Sequence, residues 1–243
     1  MLPPRGGLHP LYLAGDNTLS KSAATTEDQA TVTWAETPTA AGTVEYVSEA
    51  FAEGAMLAGP IAAQLHVSSS NTNLQLVVEV LDRAPDGNDV RLSTGSILGS
   101  RRRTDPDKSW SDAASLPKRP YLTLDEDVAL TSGEATSLQV PLWPTVWSVE
   151  SQHKLVVRIS TQPDPANCQN PLGVPVGCYP TTSMIDSLRG GSYMLHHGGQ
   201  RGSFISLPLV KHGAYATATS AVSPTATVAS ASSPDARPLP IDW

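Results

Sequence analysis

The chain has 243 residues, 40% hydrophobic and 16% charged, enough apolar material for the core of one large domain or two small ones and too much for a disordered chain. A formal net charge of -7, with an isoelectric point near 5.3 and no extended basic block, argues against nucleic acid or an anionic membrane as the main partner. No stretch approaches the roughly 18 consecutive apolar residues that cross a bilayer.

The chain opens with "MLPPRGGLHPLYLAGDN", which lacks the apolar centre of a secretory signal, so a soluble chain without an export signal is expected. Residues 1–7 read as an N-terminal extension. Beyond them the pattern is β nearly throughout. Strands are predicted at "IAAQLHVSSS" (61–70), "LQLVVEVLDRA" (74–84), "VRLSTGSILGS" (90–100), "TSLQVPLW" (136–143) and "HKLVVRIST" (153–161), with "GSYMLHH" and "SFISLPLV" following. Each is short, rich in Val, Ile, Leu and Thr, and bounded by turn formers such as "PDGND" and "TSGEA". In the second of them Leu74, Leu76, Val78 and Val80 share one face, which reads as core. Gln75, Val77, Glu79 and Leu81 form the other, mixed face.

Helical periodicity is scarce. With 21 prolines and 18 glycines spread along the chain, few windows can hold an amphipathic helix, and "SDAASL" offers one or two turns at most. Short strands with long excursions at 101–121 and 162–190 fit an all-β sandwich of the jelly-roll kind, its excursions forming loops at the ends of the sandwich. From Ala214 to Trp243 the small or helix-breaking residues Ala, Ser, Thr and Pro fill 21 of 30 positions, the composition of a disordered tail.

Within the excursions, Arg101, Arg102 and Arg103 read as a solvated strand exit rather than a phosphate site. Asp125, Glu126 and Asp127 read as a solvated acidic turn, because the glycine-bearing loop of a dedicated calcium site is absent. Cys168 and Cys178 bracket the loop "CQNPLGVPVGC", which leaves a disulfide and two free thiols both open. Two cysteines without a histidine in that loop do not make a structural zinc site.

The chemistry-bearing motifs are missing. An α/β-type serine hydrolase carries its nucleophile in G-x-S-x-G; here "GGSYM" comes nearest, with Met194 where glycine is required, so Ser192 is a poor nucleophile. His196 and His197 are neighbours on a strand and point to opposite faces, which prevents joint chelation. There is no H-E-x-x-H, C-x-x-C, phosphate loop or dinucleotide fingerprint. His153, at the mouth of a strand, has no evident nucleophile to activate. No catalytic, cofactor-binding or metal-ligating residue is assigned, and no cofactor is expected.

The order of segments carries a resemblance. "YVSEAF", then "LAGP" before a strand, a strand ending in "APDG" and then "STGSILGSRRR" resemble the C-terminal domain of the X-Pro dipeptidyl-peptidase and cocaine-esterase family of serine hydrolases. "PYLTLDEDVALTSGEATSLQVPLWPTVWSVESQHKLVVRIST" is similar to a later portion, where a proline-bearing strand leads through an aromatic turn to a histidine-basic pair. That pair is His153 and Lys154 here, with Gln152 where the family commonly has glycine. "GGSYMLHHGGQRGSFISLPLV" resembles the closing hairpin and "PLYLAGDNTLS" the lead-in strand, so the likeness spans about residues 8–210.

The resemblance implies a galactose-binding-like jelly roll over 8–213, packed beside an α/β-hydrolase domain that carries the Ser-Asp-His triad and lies upstream or in a neighbouring gene. It implies a non-catalytic role: covering the catalytic domain in cis or in trans and helping to wall its substrate pocket, with homo-oligomerisation left open. His153 is then a strand-entry residue bonded to a neighbouring loop. Trp110, Trp143 and Trp147 are either a docking surface or buried core. The competing expectations are a stand-alone binding module, for example for carbohydrate, and an enzyme with an unrecognised site dependent on His153 or Ser192. A low aromatic content of 5% weighs against the first and the missing motif against the second.

Overall fold

The structure, a computed structural model, describes residues 8–33, 42–161, 188 and 191–211. Apart from short 3-10 turns such as Gly99–Arg101, the regular structure among these residues is strand: β1 (His9–Leu13), β2 (Leu19–Ser20), β3 (Asp28–Thr33), β4 (Thr43–Val47), β5 (Ala55–Ser69), β6 (Gln75–Arg83), β7 (Asp89–Leu98), β8 (Trp110–Ser111), β9 (Pro117–Arg119), β10 (Thr136–Val149), β11 (Lys154–Ser160), β12 (Ser192–His197), β13 (Phe204–Leu207) and β14 (Leu209–Lys211). The loop holding Cys168 and Cys178, the stretch 1–7 and the expected tail 214–243 lie outside the described residues.

The fold is an all-β sandwich of antiparallel sheets. The larger sheet is organised by the 15-residue strand β5, whose one edge carries β10 while the other carries β14, β13 and β12 in succession. β1 and β2 extend that sheet beyond β13, and β3 extends it beyond β12. The second sheet has the order β4-β11-β6-β7.

Alternation builds the core between the two sheets. Ile61, Leu65 and Val67 of β5 and Leu138, Val140 and Leu142 of β10 meet Leu76, Val78 and Val80 of β6 and Leu155, Val157 and Ile159 of β11. Each such side chain contributes about 1.5–3 kcal/mol by leaving water. The expected core face of β6 is therefore realised, Leu74 included. Its mixed face is buried too, because the Arg158 and Arg91 side chains reach over Glu79 with ion pairs of 3.7 and 3.3 Å.

At one side of the sandwich the sheets approach closely where β7 meets β10. Gly95 makes this contact possible, since a Cβ there would overlap the Pro141 carbonyl oxygen. Ser93 Oγ donates to the Trp143 carbonyl at 2.5 Å across the same seam.

Four expectations are corrected. The "WPTVW" segment is not a turn: β10 runs on to Val149 through a bulge between Leu142 and Thr145, and its prolines are tolerated because β5 is its only strand partner among the described residues. "LAGP" lies inside β5 rather than before it. "GSYMLHH" and "SFISLPLV" do not form a hairpin with each other, since β12 and β13 pair separately with β5. "SDAASL" is the turn of the β8–β9 hairpin, held by Asp112 Oδ1, which accepts from the Ala114 and Leu116 amides at 2.9 Å.

Candidate functional site

The polar residues of greatest interest collect where β6, β10 and β11 end together. A bulge between Val80 and Leu81 shifts the register of β6 against β7, and Asp82 comes to lie between Val90 of β7 and Leu155 of β11. Asp82 is only 4% exposed. Its Oδ1 lies 2.9 Å from His153 Nδ1, and its Oδ2 accepts the indole N–H of Trp147 at 2.8 Å.

His153 is delivered by the reversal from β10 into β11. There Gln152 takes a left-handed φ of 66° and donates its amide to the Phe51 carbonyl at 2.7 Å, while the Phe51 amide donates to the His153 carbonyl at 2.9 Å. Left-handed backbone favours glycine, the residue that the resemblance implies at this position. His153 is thus a strand-entry residue bonded through its backbone to the neighbouring loop at Phe51, as expected, while its side chain meets a buried strand carboxylate.

A carboxylate that orients an imidazole is two parts of a hydrolytic triad, but among the described residues no third part is bonded to it. The hydrogen bonds described at His153 run to Asp82 and, through its backbone, to Phe51 and Glu150; none comes from a serine, threonine or cysteine. Ser192 sits at the first position of β12 and exchanges hydrogen bonds of 3.0 Å with Ser70 in an ordinary strand environment. The fold does not bring Ser192 and His153 together: Ser192 belongs to the larger sheet, and His153 enters the smaller one.

His196 and His197 point to opposite faces. His196 Nε2 lies 3.1 Å from Ser68 Oγ, whereas His197 Nε2 lies 2.7 Å from the Tyr46 hydroxyl in the core between the sheets. Burial holds both imidazoles below the usual histidine range; Arg201 adds to this for His196, and Asp28 opposes it for His197. His66 is lowered in the same way, by burial first and Arg201 second. Among the described residues, no three His, Cys, Asp or Glu side chains are grouped to hold a metal ion.

The arginine run and the acidic turn, separate features in the sequence, pair with each other. Arg101 meets Asp127 at 2.7 Å, Arg103 meets Glu126, and Arg102 donates to the Val128 carbonyl at 2.5 Å. On the outer face of the smaller sheet, Glu45, Asp89, Arg83 and Arg158 interlock. Burial pushes the Glu45 carboxyl up, but hydrogen bonds from Arg83 and Arg158 outweigh it and hold the group below its ordinary value. Asp89 is lowered chiefly by its hydrogen bond from Arg83.

All three singled-out tryptophans are exposed. Trp110 lies on the β8–β9 hairpin with the Arg119 guanidinium 5.2 Å from its ring centroid. Trp143 is 73% exposed, Val146 76% and Trp147 37%, all within five residues of β10, with Val146 and Trp147 on opposite faces of the strand, and Val90, the cross-strand partner of Asp82, is exposed too.

Comparison with known proteins places these features. A family model described as the X-Pro dipeptidyl-peptidase C-terminal non-catalytic domain matches residues 3–206. No curated protein sequence matches the chain. Solved structures of similar fold include a CocE/NonD family hydrolase from Staphylococcus aureus, with a TM-score of 0.70 and 19% identity over 86% of this chain and 37% of that one. An aminopeptidase from a marine sediment Thaumarchaeota archaeon gives a TM-score of 0.61 and 15% identity over 86% of this chain and 37% of that one. An α-amino acid ester hydrolase gives 0.56 and 18% over 84% and 36%. The chain therefore spans little more than a third of the length of these neighbours, and at such identities the likeness is one of fold.

Proposed function

The chain belongs to the family of X-Pro dipeptidyl-peptidase C-terminal non-catalytic domains, and from that premise we propose that it supports the α/β-hydrolase domain of a serine hydrolase with dipeptidyl-peptidase, acylase or esterase activity. Residues 8–213 pack against that catalytic domain, in cis or in trans, and help to shape its substrate pocket. The observation that carries this reading is the family match over residues 3–206, in neighbours whose remaining length lies outside the matched part. His153 is in keeping with it: the imidazole is held by the buried Asp82 carboxylate, and the hydrogen bonds described for it include none from a serine, threonine or cysteine.

The test is turnover by the purified chain on p-nitrophenyl esters and X-Pro p-nitroanilides. The expected result is no hydrolysis above buffer. Hydrolysis that disappears in His153→Ala or Ser192→Ala would overturn the reading in favour of a site within this domain.

A further inference from the structure

We propose that the outer face of the larger sheet, turned away from the core and centred on β5, is the surface on which the catalytic domain sits; this rests on the function proposed above. Register and alternation define that face. Ile61, Leu65 and Val67 of β5 point into the core, so Met56, Gln64 and His66 point outward. Val146 of β10 joins them opposite Ala58, as do Met194 of β12 opposite Ser68 and the rings of Tyr12 and Phe204, whose centroids lie 5.5 Å apart. Although β9 also lies against β5, Met56, Gln64, His66 and Met194 are only half-buried and Val146 is 76% exposed.

This face lacks charge. Among the described residues, the strands of the larger sheet carry no charged side chain but Asp28 and Lys211, and these are paired with His197 and Ala55, which belong to the inward face. The smaller sheet is the opposite case: Glu45, Arg83 and Arg158 interlock on its outer surface, as expected of a sheet face that meets water. A face that excludes charge while keeping methionine and aromatic rings has the composition of an interface core. Unpaired polar atoms point the same way. His66 Nδ1, Ser148 Oγ and Ser206 Oγ are buried without a hydrogen-bond partner, and register puts all three on this face. Such groups are costly to leave unpaired, and a polypeptide laid over β5 can supply their partners.

The occupant is a protein surface and not a sugar. Gln64 donates to Ser137 and Ser68 is bonded to His196, which spends on the sheet itself the groups that a sugar site sets around an aromatic platform. Size agrees. From Met56 to Ser68 the strand runs about 40 Å, and three strands span about 14 Å, a large part of the roughly 800 Å² that each partner brings to a stable interface. The chain belongs to a family of non-catalytic domains and spans 37% of a CocE/NonD family hydrolase, so most of such an enzyme lies outside the matched part and is there to cover the face. Both edges of β5 are taken, by β10 on one side and by β12, β13 and β14 on the other, so the docking is by side chains and not by strand addition.

The experiment places a photo-cross-linking residue, p-benzoylphenylalanine, at Val146 on this face or at Lys154 on the outer face of the smaller sheet, in the full-length native protein expressed in its source organism, and maps the cross-linked peptides. Links from position 146 to a polypeptide segment bearing G-x-S-x-G or its flanking α/β domain are expected. A charge introduced on the face, by Met56→Lys or at the exposed position Ser137→Lys, should reduce their yield roughly tenfold or more, and the second variant should do so with the unfolding midpoint of the isolated chain unchanged. If the hydrolase links only to position 154, or if neither lysine changes the yield, the proposed function stands and this assignment of the face falls. Links from position 146 to a second copy of the chain also overturn it, in favour of a self-association surface. If no hydrolase segment is found with either probe, the function proposed above fails and this inference with it.

Discussion

Asp82 and His153 are joined by a contact of 2.9 Å between Oδ1 and Nδ1, although 71 positions separate them in the chain. The same carboxylate receives Trp147, so one buried group ties the ends of β6, β10 and β11 together. Removing it leaves two donors without their acceptor. Asp82→Ala is expected to lower unfolding free energy in urea by about 1–3 kcal/mol, and Asp82→Asn, which keeps an acceptor for the indole, by less. Equal losses in the two variants would contradict this division of labour.

Gln152 is the opposite case, a residue that works against the fold. Its φ of 66° carries the left-handed cost of roughly 1–2 kcal/mol, partly offset in glycine by the entropy of the unfolded chain. Gln152→Gly should therefore stabilise the domain by about 0.5–1 kcal/mol. A lower melting temperature in the variant would show that the Gln152 side chain contributes more than its backbone costs.

Acid should destabilise the domain in two stages. Burial lowers the folded pKa of His66, His196 and His197 beneath the unfolded value of 6.5, so the unfolded chain binds protons first. Their contribution is complete above that value and declines as pH falls from it toward the folded values. Glu45 and Asp89, also lowered, add a second decline beginning at their unfolded values of 4.5 and 3.8. Urea midpoints measured across this range should fall on acidification throughout, and His197→Phe should weaken the first stage. A midpoint that is flat or rising between about pH 7 and 5 would refute the assignment.

Glu79 is 2% exposed and meets both Arg91 and Arg158. Arg158→Met keeps much of the covering stem but removes one positive charge from a buried carboxylate, and a loss of up to about 3 kcal/mol is expected. Because the pair is shielded from solvent, the loss should persist in high salt; a loss abolished by salt would mean a surface interaction only.

Much of the fold was legible because alternation is local. The core face Leu74, Leu76, Val78 and Val80 can be read from nine residues, and it is the face that meets the opposite sheet. β3 and β4 escaped notice: "DQATVT" and "TVEYV" are short, polar on one face and poor in flanking turn signals. The continuation of β10 was hidden by Pro144, which reads as a stop unless the strand is known to be an edge. Pairings such as Asp82 with His153, or Arg101 with Asp127, depend on sheet register and loop closure across many residues. Nothing in local sequence encodes them. The absence of a G-x-S-x-G motif was legible, whereas the choice between buried and exposed for Trp143 and Trp147 needed the bulge.

The most direct test of a supporting role is the intact mass of the native protein, isolated from its source with an antibody against this chain, together with whatever accompanies it. The account predicts a species well above 25.6 kDa, or a tightly bound larger partner, containing an α/β-hydrolase domain with a G-x-S-x-G serine. A protein running alone at 25.6 kDa, with no such partner, would contradict it.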